Sequence, residues 1–209
     1  MHEPKPDSGE TLRLLERIRD GSPAFDELFQ RHRGSLRRAV ALRFDPALRA
    51  RADPSDVVQE AQMEAFRRLP DFLAREPMPF HLWLRKTAQE RLIMMRRKHI
   101  GASRRTVGQE LALPNHSSVM LAQHVLASSG SPSKLVTQEE LARRVRQAIG
   151  KLPDTDREIL LMRTYEGLAY DEISCVLEIE PATARKRYGR ALIRLQKLLT
   201  QDGLSESQL

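Results

Sequence analysis

The sequence has one cysteine, few aromatic residues and no long apolar run in its 209 positions. The single cysteine, Cys175, excludes a disulfide within the chain, and its apolar neighbours favour a small buried side chain over a reactive thiol. Aromatic residues make up 5% of the chain and alternating β-branched runs are absent, which predicts an all-α fold. No apolar stretch approaches the roughly 20 residues that a membrane-spanning helix needs.

Charged residues are abundant, and their balance is basic. They make up 30% of the chain, with a formal net charge of +7 and an isoelectric point near 10.0. A positive charge of this size favours a polyanionic partner without identifying it. The first residues lack the cationic-then-apolar order of a signal peptide, so we expect a cytoplasmic protein with no membrane partner.

Residues 168–199 have the pattern of two helices with a tight joint between them. Apolar residues recur at spacings of three and four, and Pro181 stands at the first position of the second helix, where proline is best tolerated. The front of that helix is purely cationic, because no acidic residue occurs between Glu180 and Asp202. This pattern predicts a helix-turn-helix whose second helix enters the DNA major groove. A solvated surface helix or a phosphate-binding patch is the competing interpretation.

A second amphipathic helix begins at Asp53, the predicted N-cap, with Pro54 in its first turn. Its predicted buried stripe contains Val57, Val58, Ala61, Ala65, Phe66 and Leu69, and the helix is expected to end over residues 70–72 (Pro-Asp-Phe). The residues predicted to lie outside the stripe are Asp56, Gln59, Glu60 and Glu64. An acidic face on a basic protein indicates a protein partner, because DNA would repel it. A solvated face on a bundle helix explains the pattern equally well.

A third helix is predicted to open at Phe80 and to continue to Lys98. Basic residues are interleaved with aromatic ones in it, a combination that suits single-stranded DNA because cations contact phosphates and rings accept unstacked bases. The alternative is an ordinary core helix, and we expect Trp83 to pack in the core rather than against a base.

The helical pattern is lost over about residues 100–136, which are rich in serine, alanine and glycine. A structureless stretch of this length is uncommon inside one domain, so it predicts a linker. Within it, residues 110–113 and 119–126 have only weak helical character. Helical order returns at Thr137, a predicted N-cap, with Glu140 expected to reach back to it.

Three stretches together resemble the extracytoplasmic-function (ECF) subfamily of bacterial RNA polymerase sigma factors. They are residues 53–60 (DPSDVVQE), residues 80–88 (FHLWLRKTA), and residues 152–160 (LPDTDREIL) with the helix-turn-helix after them. The resemblance covers about residues 20–200. It implies two small helical domains joined by a flexible linker: a region 2-like domain over 10–99, the linker over 100–136, and a region 4-like domain over 137–200 that ends in the helix-turn-helix.

The resemblance also implies two partners, core RNA polymerase through its β′ clamp and β flap, and promoter DNA. The residues implied to bind the β′ clamp are Asp53, Asp56, Gln59 and Glu60. Those implied to hold the melted minus-ten element as single strand are Arg85, Lys86, Arg91, Arg96 and Arg97. Those implied to read the duplex minus-thirty-five element are Thr183, Arg185, Lys186 and Arg190. No catalytic residue, cofactor or metal is implied, and the sequence does not determine whether an anti-sigma factor also binds.

Four residues depart from the usual pattern of the family. Glu178 stands in the joint where glycine is usual, Gly189 lies inside the reading helix, and Glu90 and Met94 replace an asparagine and an aspartate. Two other functions remain alternatives. A stand-alone helix-turn-helix regulator would bind promoter DNA without polymerase. A nuclease or phosphotransferase would need clustered carboxylates or a phosphate-binding glycine loop, and the sequence offers neither.

Overall fold

The computed structural model describes residues 7–45, 48–49, 51–100, 111, 113–127 and 137–201. Over these ranges the regular secondary structure is helical, without a strand, as predicted. Contacts divide the chain into two compact units, Met1–Arg104 with Cys175–Glu178 and Arg105–Ser174 with Ile179–Leu209. None of the helices within the described ranges is both long and apolar enough to cross a membrane.

The described residues of Met1–Arg104 in the first unit form four helices, α1 (Gly9–Arg19), α2 (Phe25–Ala41), α3 (Pro54–Arg75) and α4 (Phe80–Ile100). The start of α3 is a complete capping box: the Asp53 carboxylate accepts a hydrogen bond from the backbone N–H of Ser55, and the Asp56 carboxylate accepts one from the backbone N–H of Asp53 at 2.8 Å. The predicted N-cap is therefore confirmed.

Helix α3 continues through Pro70 to Arg75, so the prediction that it ends over residues 70–72 is wrong. A proline inside a helix removes one backbone hydrogen bond. The residues after it pack well enough to offset that loss, because the Phe72 ring lies 5.5 Å from the Phe80 ring and 4.6 Å from the Trp83 ring, measured between centroids. Edge and tilted contacts of this kind favour aromatic pairs beyond simple burial.

The core of the first unit is built on fully buried aromatic side chains, including Phe29, Phe44 and Phe80. Trp83 is 6% exposed, which confirms its predicted place in the core. The prediction that Phe66 belongs to the buried stripe of α3 is wrong. Its side chain is 63% exposed, and its ring centroid lies 5.2 Å from that of Phe25. The spacing of apolar residues along α3 cannot reveal that, among the described residues, no element covers Phe66.

The second unit contains α5 (Asn115–Leu126), α6 (Gln138–Lys151), α7 (Asp154–Leu160), a π-helix (Leu161–Tyr165), α8 (Tyr170–Leu177, of which residues 175–177 group with the first unit) and α9 (Pro181–Gln201). Thr137 caps α6 as predicted, accepting from the backbone N–H of Glu140 at 3.2 Å. Glu140 itself does not complete the box. Its carboxylate instead receives Arg143 and Arg144, whose hydrogen bonds lower its pKa to about 2.

Helix α5 corrects the predicted linker over residues 100–136. Its apolar side chains Leu121, Ala122 and Leu126 are buried against the second unit, chiefly against α6. The Ser118 hydroxyl lies 3.1 Å from the Tyr165 hydroxyl, and burial raises the pKa of that phenol to about 12. The serine and alanine content of the segment is typical of a linker. Helix α5 nevertheless contains enough apolar side chains to pack against α6. Residues 101–110, 112 and 128–136 of the predicted linker lie outside the described residues.

The helix-turn-helix is formed by α8 and α9, as predicted. Gly167 ends the preceding π-helix with a φ of +71°, a conformation in which glycine is the favoured residue. The joint contains Glu178 at φ +53°, and the Ile179 N–H donates to the Ser174 carbonyl at 3.1 Å. Pro181 then occupies the first position of α9. The buried side of α9 contributes four side chains to the core of the second unit, Ala184, Ala191, Leu195 and Leu199.

Candidate polymerase and nucleic-acid interfaces

The cationic side of α9 is exposed at the positions that the sequence indicated. Arg185, Lys186 and Arg190 are all exposed, and Thr183 is half-buried in the first turn. Arg194, one of the other cations of α9, instead pairs with Asp156, a carboxylate that is 4% exposed. Arg194 therefore differs from the exposed cations Arg185, Lys186 and Arg190 because, although it is also exposed, it forms an ion pair with α7.

Tyr170, which is not among the residues predicted from the sequence, lies beside this surface. The guanidinium carbon of Arg185 is 5.3 Å from the centroid of the Tyr170 ring, and that of Arg163 is 4.9 Å away. Both distances fall in the range of cation–π attraction. These contacts join residues 7 and 15 positions apart that belong to different elements, so the spacing within one helix does not signal them.

The five predicted minus-ten residues on α4 differ in exposure. Arg96 and Arg97 are exposed, whereas Arg85, Lys86 and Arg91 are half-buried. Arg91 lies 3.7 Å from the carboxylate of Glu64 on α3. The structure therefore leaves two of the five side chains exposed and gives Arg91 a carboxylate neighbour within its own unit.

Glu64 is buried, although it was predicted to lie outside the apolar stripe of α3. Three arginines lie within 4.0 Å of its carboxylate: Arg67, Arg68 and Arg91. The hydrogen bond from Arg67 lowers the pKa of Glu64 most, and the charge of Arg91 lowers it further, while burial opposes both. The sequence does not predict this site, because the position of a glutamate along a helix does not show whether arginines of a neighbouring helix will cover it.

The acidic end of α3 presents all four of the predicted polymerase-binding residues to solvent, Asp53, Asp56, Gln59 and Glu60. Two of them have a second use, since Asp53 and Asp56 form the capping box, and the hydrogen bonds from Ser55 lower the pKa of Asp53. Two apolar side chains continue this exposed surface along the helix, Met63 at 69% and Phe66 at 63% exposure.

Asp7 fixes the start of α4. Its carboxylate accepts hydrogen bonds from the backbone N–H groups of Phe80, at 2.5 Å, and His81, at 3.1 Å, and lies 2.7 Å from the His81 ring nitrogen Nδ1. A carboxylate at a helix N-terminus is stabilised by the unpaired N–H groups and by the helix dipole. A carboxylate from the segment before α1 thereby caps the first turn of the basic helix.

Comparison with known proteins identifies both units. The family described as Sigma-70 region 2 matches residues 28–100, and the family described as Sigma-70, region 4 matches residues 142–195. The chain is 30% identical over 183 residues to the ECF RNA polymerase sigma-E factor of Escherichia coli K12, covering 85% of this chain and 88% of that protein. The chain belongs to the ECF sigma factors.

Further similarities agree with this assignment. The RNA polymerase sigma-H factor of Pseudomonas aeruginosa is 29% identical over 187 residues, which cover 89% of this chain and 92% of that protein. Among solved structures, CnrH in complex with the cytosolic domain of CnrY is 25% identical, with a TM-score of 0.57 over 90% of this chain and 96% of that one. This sigma factor therefore binds RNA polymerase and acts in transcription initiation, and a regulator that works without polymerase is not favoured.

The sigma factor accommodates its four departures from the family pattern in different ways. Glu178 adopts the left-handed conformation that glycine would adopt more easily. A Cβ atom added at Gly189 would meet no atom within 4 Å. Glu90 accepts a hydrogen bond from Arg68 at 2.8 Å, and Met94 is 52% exposed. Within the described ranges, no group of three or more His, Cys, Asp or Glu side chains is arranged to hold a metal ion.

Proposed function

We propose that the sigma factor divides its work among three surfaces: the exposed end of α3 for core polymerase, α4 for the melted minus-ten element, and the front of α9 for the duplex minus-thirty-five element. The observation that supports this division is the separation of charge. The exposed end of α3 is acidic, whereas the exposed polar residues of the first half of α9 include only cations as charged groups. Opposite charges favour a protein partner for the first surface and nucleic acid for the last.

The proposed polymerase-binding surface combines acidic and apolar side chains, and its partner is the β′ clamp. Asp53, Asp56, Gln59 and Glu60 supply the polar rim, and Met63 and Phe66 extend the surface with apolar area. Large exposed apolar side chains that lie together on a monomer mark interaction sites, and an aromatic anchor inside a polar rim is typical of binding hot spots. This arrangement supports a protein partner over a merely solvated helix face.

The proposed minus-ten surface lies on the C-terminal half of α4. Arg96 and Arg97 carry more of the phosphate binding than Arg85, Lys86 and Arg91, because exposed guanidinium groups contact DNA without first giving up intramolecular partners. The apolar side chains of Ile93 and Met94, 47% and 52% exposed, lie beside these arginines and offer contacts to unstacked bases.

The proposed minus-thirty-five surface uses Arg185, Lys186 and Arg190, with Thr183 near the start of α9, where a phosphate is favoured. Substituting alanine for an arginine that reads a base costs about 1–3 kcal/mol at one base pair, whereas loss of a phosphate contact weakens all sequences alike. The β flap is proposed as the polymerase partner of this second domain.

We also propose revised domain limits and a cellular setting. The region 4-like domain begins with α5 rather than at residue 137, so the linker is shorter than the sequence indicated.

The protein acts in the cytoplasm beside RNA polymerase, which performs the chemistry. By likeness to CnrH, which is in complex with the cytosolic domain of CnrY, a regulatory protein partner is proposed as well, and competition with core polymerase for this chain would test it.

In vitro transcription with core polymerase on fragmented genomic DNA tests the proposal. Transcripts that start downstream of one shared two-part promoter, only when both proteins are present, are the expected result. The purified chain alone should bind those promoter fragments weakly. Tight, specific duplex binding by the chain alone, without transcripts, would support the stand-alone regulator instead.

A further inference from the structure

The ring of Tyr170, the first residue of α8, contacts the guanidinium groups of two arginines from other elements. Arg163 comes from the π-helix and Arg185 from the exposed front of α9, and their Cζ atoms lie 4.9 and 5.3 Å from the ring centroid. Both are inside the limit of about 6 Å for attraction to an aromatic face. Arg185 is also one of the residues proposed to contact the minus-thirty-five element.

The ring that contacts Arg185 is itself held in place. Tyr188, one turn beyond Arg185 on α9, packs its ring 6.2 Å from that of Tyr170 at an interplanar angle of 66°, and the Tyr188 hydroxyl lies 3.2 Å from the Thr164 hydroxyl. Arg163 donates a hydrogen bond to the Leu168 carbonyl at 2.9 Å, just before α8 begins. The Tyr170 ring is therefore fixed relative to α9 by contacts on both elements that flank it.

A fixed ring changes what an exposed arginine can do. A free arginine side chain samples many rotamers, and ordering it on a base edge costs conformational entropy. Stacking on an aromatic face restricts those rotamers before DNA binds. The donors at the edge of the planar guanidinium group stay available, and bidentate recognition of a guanine uses these donors.

We propose that Tyr170 is a positioning residue that orients Arg185 for base recognition in the minus-thirty-five element. The proposal rests on the function proposed for α9. Because the ring acts through Arg185, removing it weakens discrimination at the base pair that Arg185 reads and leaves the other positions unchanged. A cation–π contact at an exposed site is worth about a two- to fivefold change in that discrimination.

The experiment uses the full chain with core polymerase and a DNA pool in which the minus-thirty-five region of one transcribed genomic promoter is randomised. Bound and transcribed molecules are sequenced for the wild type, Arg185→Ala, Tyr170→Leu, Tyr170→Phe and the double variant Tyr170→Leu with Arg185→Ala. A chain carrying trifluorophenylalanine at position 170 keeps the shape of the ring but weakens its negative face. Thermal unfolding of each variant is followed in parallel.

Arg185→Ala should remove the preference at one base pair, and Tyr170→Leu should weaken it there about two- to fivefold. The fluorinated ring should weaken it in the same direction, Tyr170→Phe should keep it, and the double variant should match Arg185→Ala. If Arg185→Ala changes no preference, the function proposed for Arg185 fails.

If Arg185→Ala does remove a preference, three results overturn only the role of Tyr170. The first is a fluorinated variant that discriminates like the wild type. The second is a Tyr170→Phe variant that loses the preference, since the hydroxyl would then be the active group. The third is a Tyr170→Leu variant that loses sequence preference equally at every base pair of the minus-thirty-five element, because an equal loss would indicate a structural role for the ring.

Discussion

Arg68 of α3 donates a hydrogen bond to Glu90 of α4 at 2.8 Å, and both side chains are about two-fifths exposed. The pair joins the helix proposed to bind polymerase to the helix proposed to bind melted DNA. It also accounts for a glutamate where the family usually has asparagine. Nearby, the buried carboxylate of Glu64 lies close to three arginines of the same two helices.

These two carboxylates give a matched test of burial. Glu64→Gln should lower the free energy of unfolding of the first unit by about 1–3 kcal/mol, because it leaves charged donors around a buried neutral group. Glu90→Gln should lower it by about 0–1 kcal/mol, as is usual for an exposed pair. Fluorescence of Trp83, the chain's one tryptophan, follows unfolding of this unit selectively. Equal losses from the two variants would contradict the difference that burial predicts.

Because α5 packs in the second unit, we expect side chains of this helix to belong to the core of that unit, although the sequence predicted a linker here. Leu126 is fully buried, so Leu126→Ala should lower the free energy of unfolding by about 2–5 kcal/mol. Met120 on the same helix is 55% exposed, so Met120→Ala should change it by less than about 0.5 kcal/mol. All three tyrosines of the chain lie in this unit, and near-ultraviolet circular dichroism of tyrosine reports its unfolding. Little effect from Leu126→Ala would restore the linker prediction.

Glu60 is a cleaner probe of polymerase binding than Asp56. Both are exposed, but Asp56 also belongs to the capping box of α3. Glu60→Arg should weaken association with core polymerase at least tenfold in a pull-down titration while leaving the melting temperature unchanged. Asp56→Arg should weaken association and lower the melting temperature. Glu16→Arg, an equal charge change at an exposed position of α1, serves as the control; the same loss of binding from Glu16→Arg would argue for a general charge effect.

Gly189 is the position in α9 where a substitution should stabilise the fold. A Cβ atom there would meet nothing within 4 Å, so Gly189→Ala should raise the free energy of unfolding by about 0.5–1 kcal/mol through helix propensity alone. A loss of stability would show a constraint on the backbone that the structure does not contain. Gly189 is one turn beyond Arg185. Promoter binding by the same variant therefore tests whether DNA binding requires a residue without a side chain at this position.

Asp7 and His32 predict that the first unit loses stability in acid. Burial alone would raise the pKa of Asp7, but the hydrogen bonds from His81 and Phe80 outweigh it and lower that pKa. Burial lowers the pKa of His32, which also faces His81 and Arg31, while Asp7 opposes the shift. Groups whose pKa is lowered by folding stabilise the fold above their unfolded pKa and lose that contribution as pH falls through the folded value.

The His32 contribution should therefore decline below about pH 6.5, and the Asp7 contribution below about pH 4. Trp83 fluorescence during urea unfolding at a series of pH values measures both. In Asp7→Ala the second decline should be absent, whereas the first should remain. A wild-type stability that rises as the pH falls from 7 to 5 would contradict the assignment for His32.

Residue spacing was enough to predict the helical class, the capped start of α3, the helix-turn-helix and the exposed front of α9, because these features depend on positions within one helix or at its ends. Packing in three dimensions was needed to show that Glu64 is buried, that Phe66 is exposed, that α5 joins the second unit and that Tyr170 contacts Arg185. Each of these depends on which distant segment covers a given face. Local periodicity shows that a helix has a face but carries no information about what packs on it.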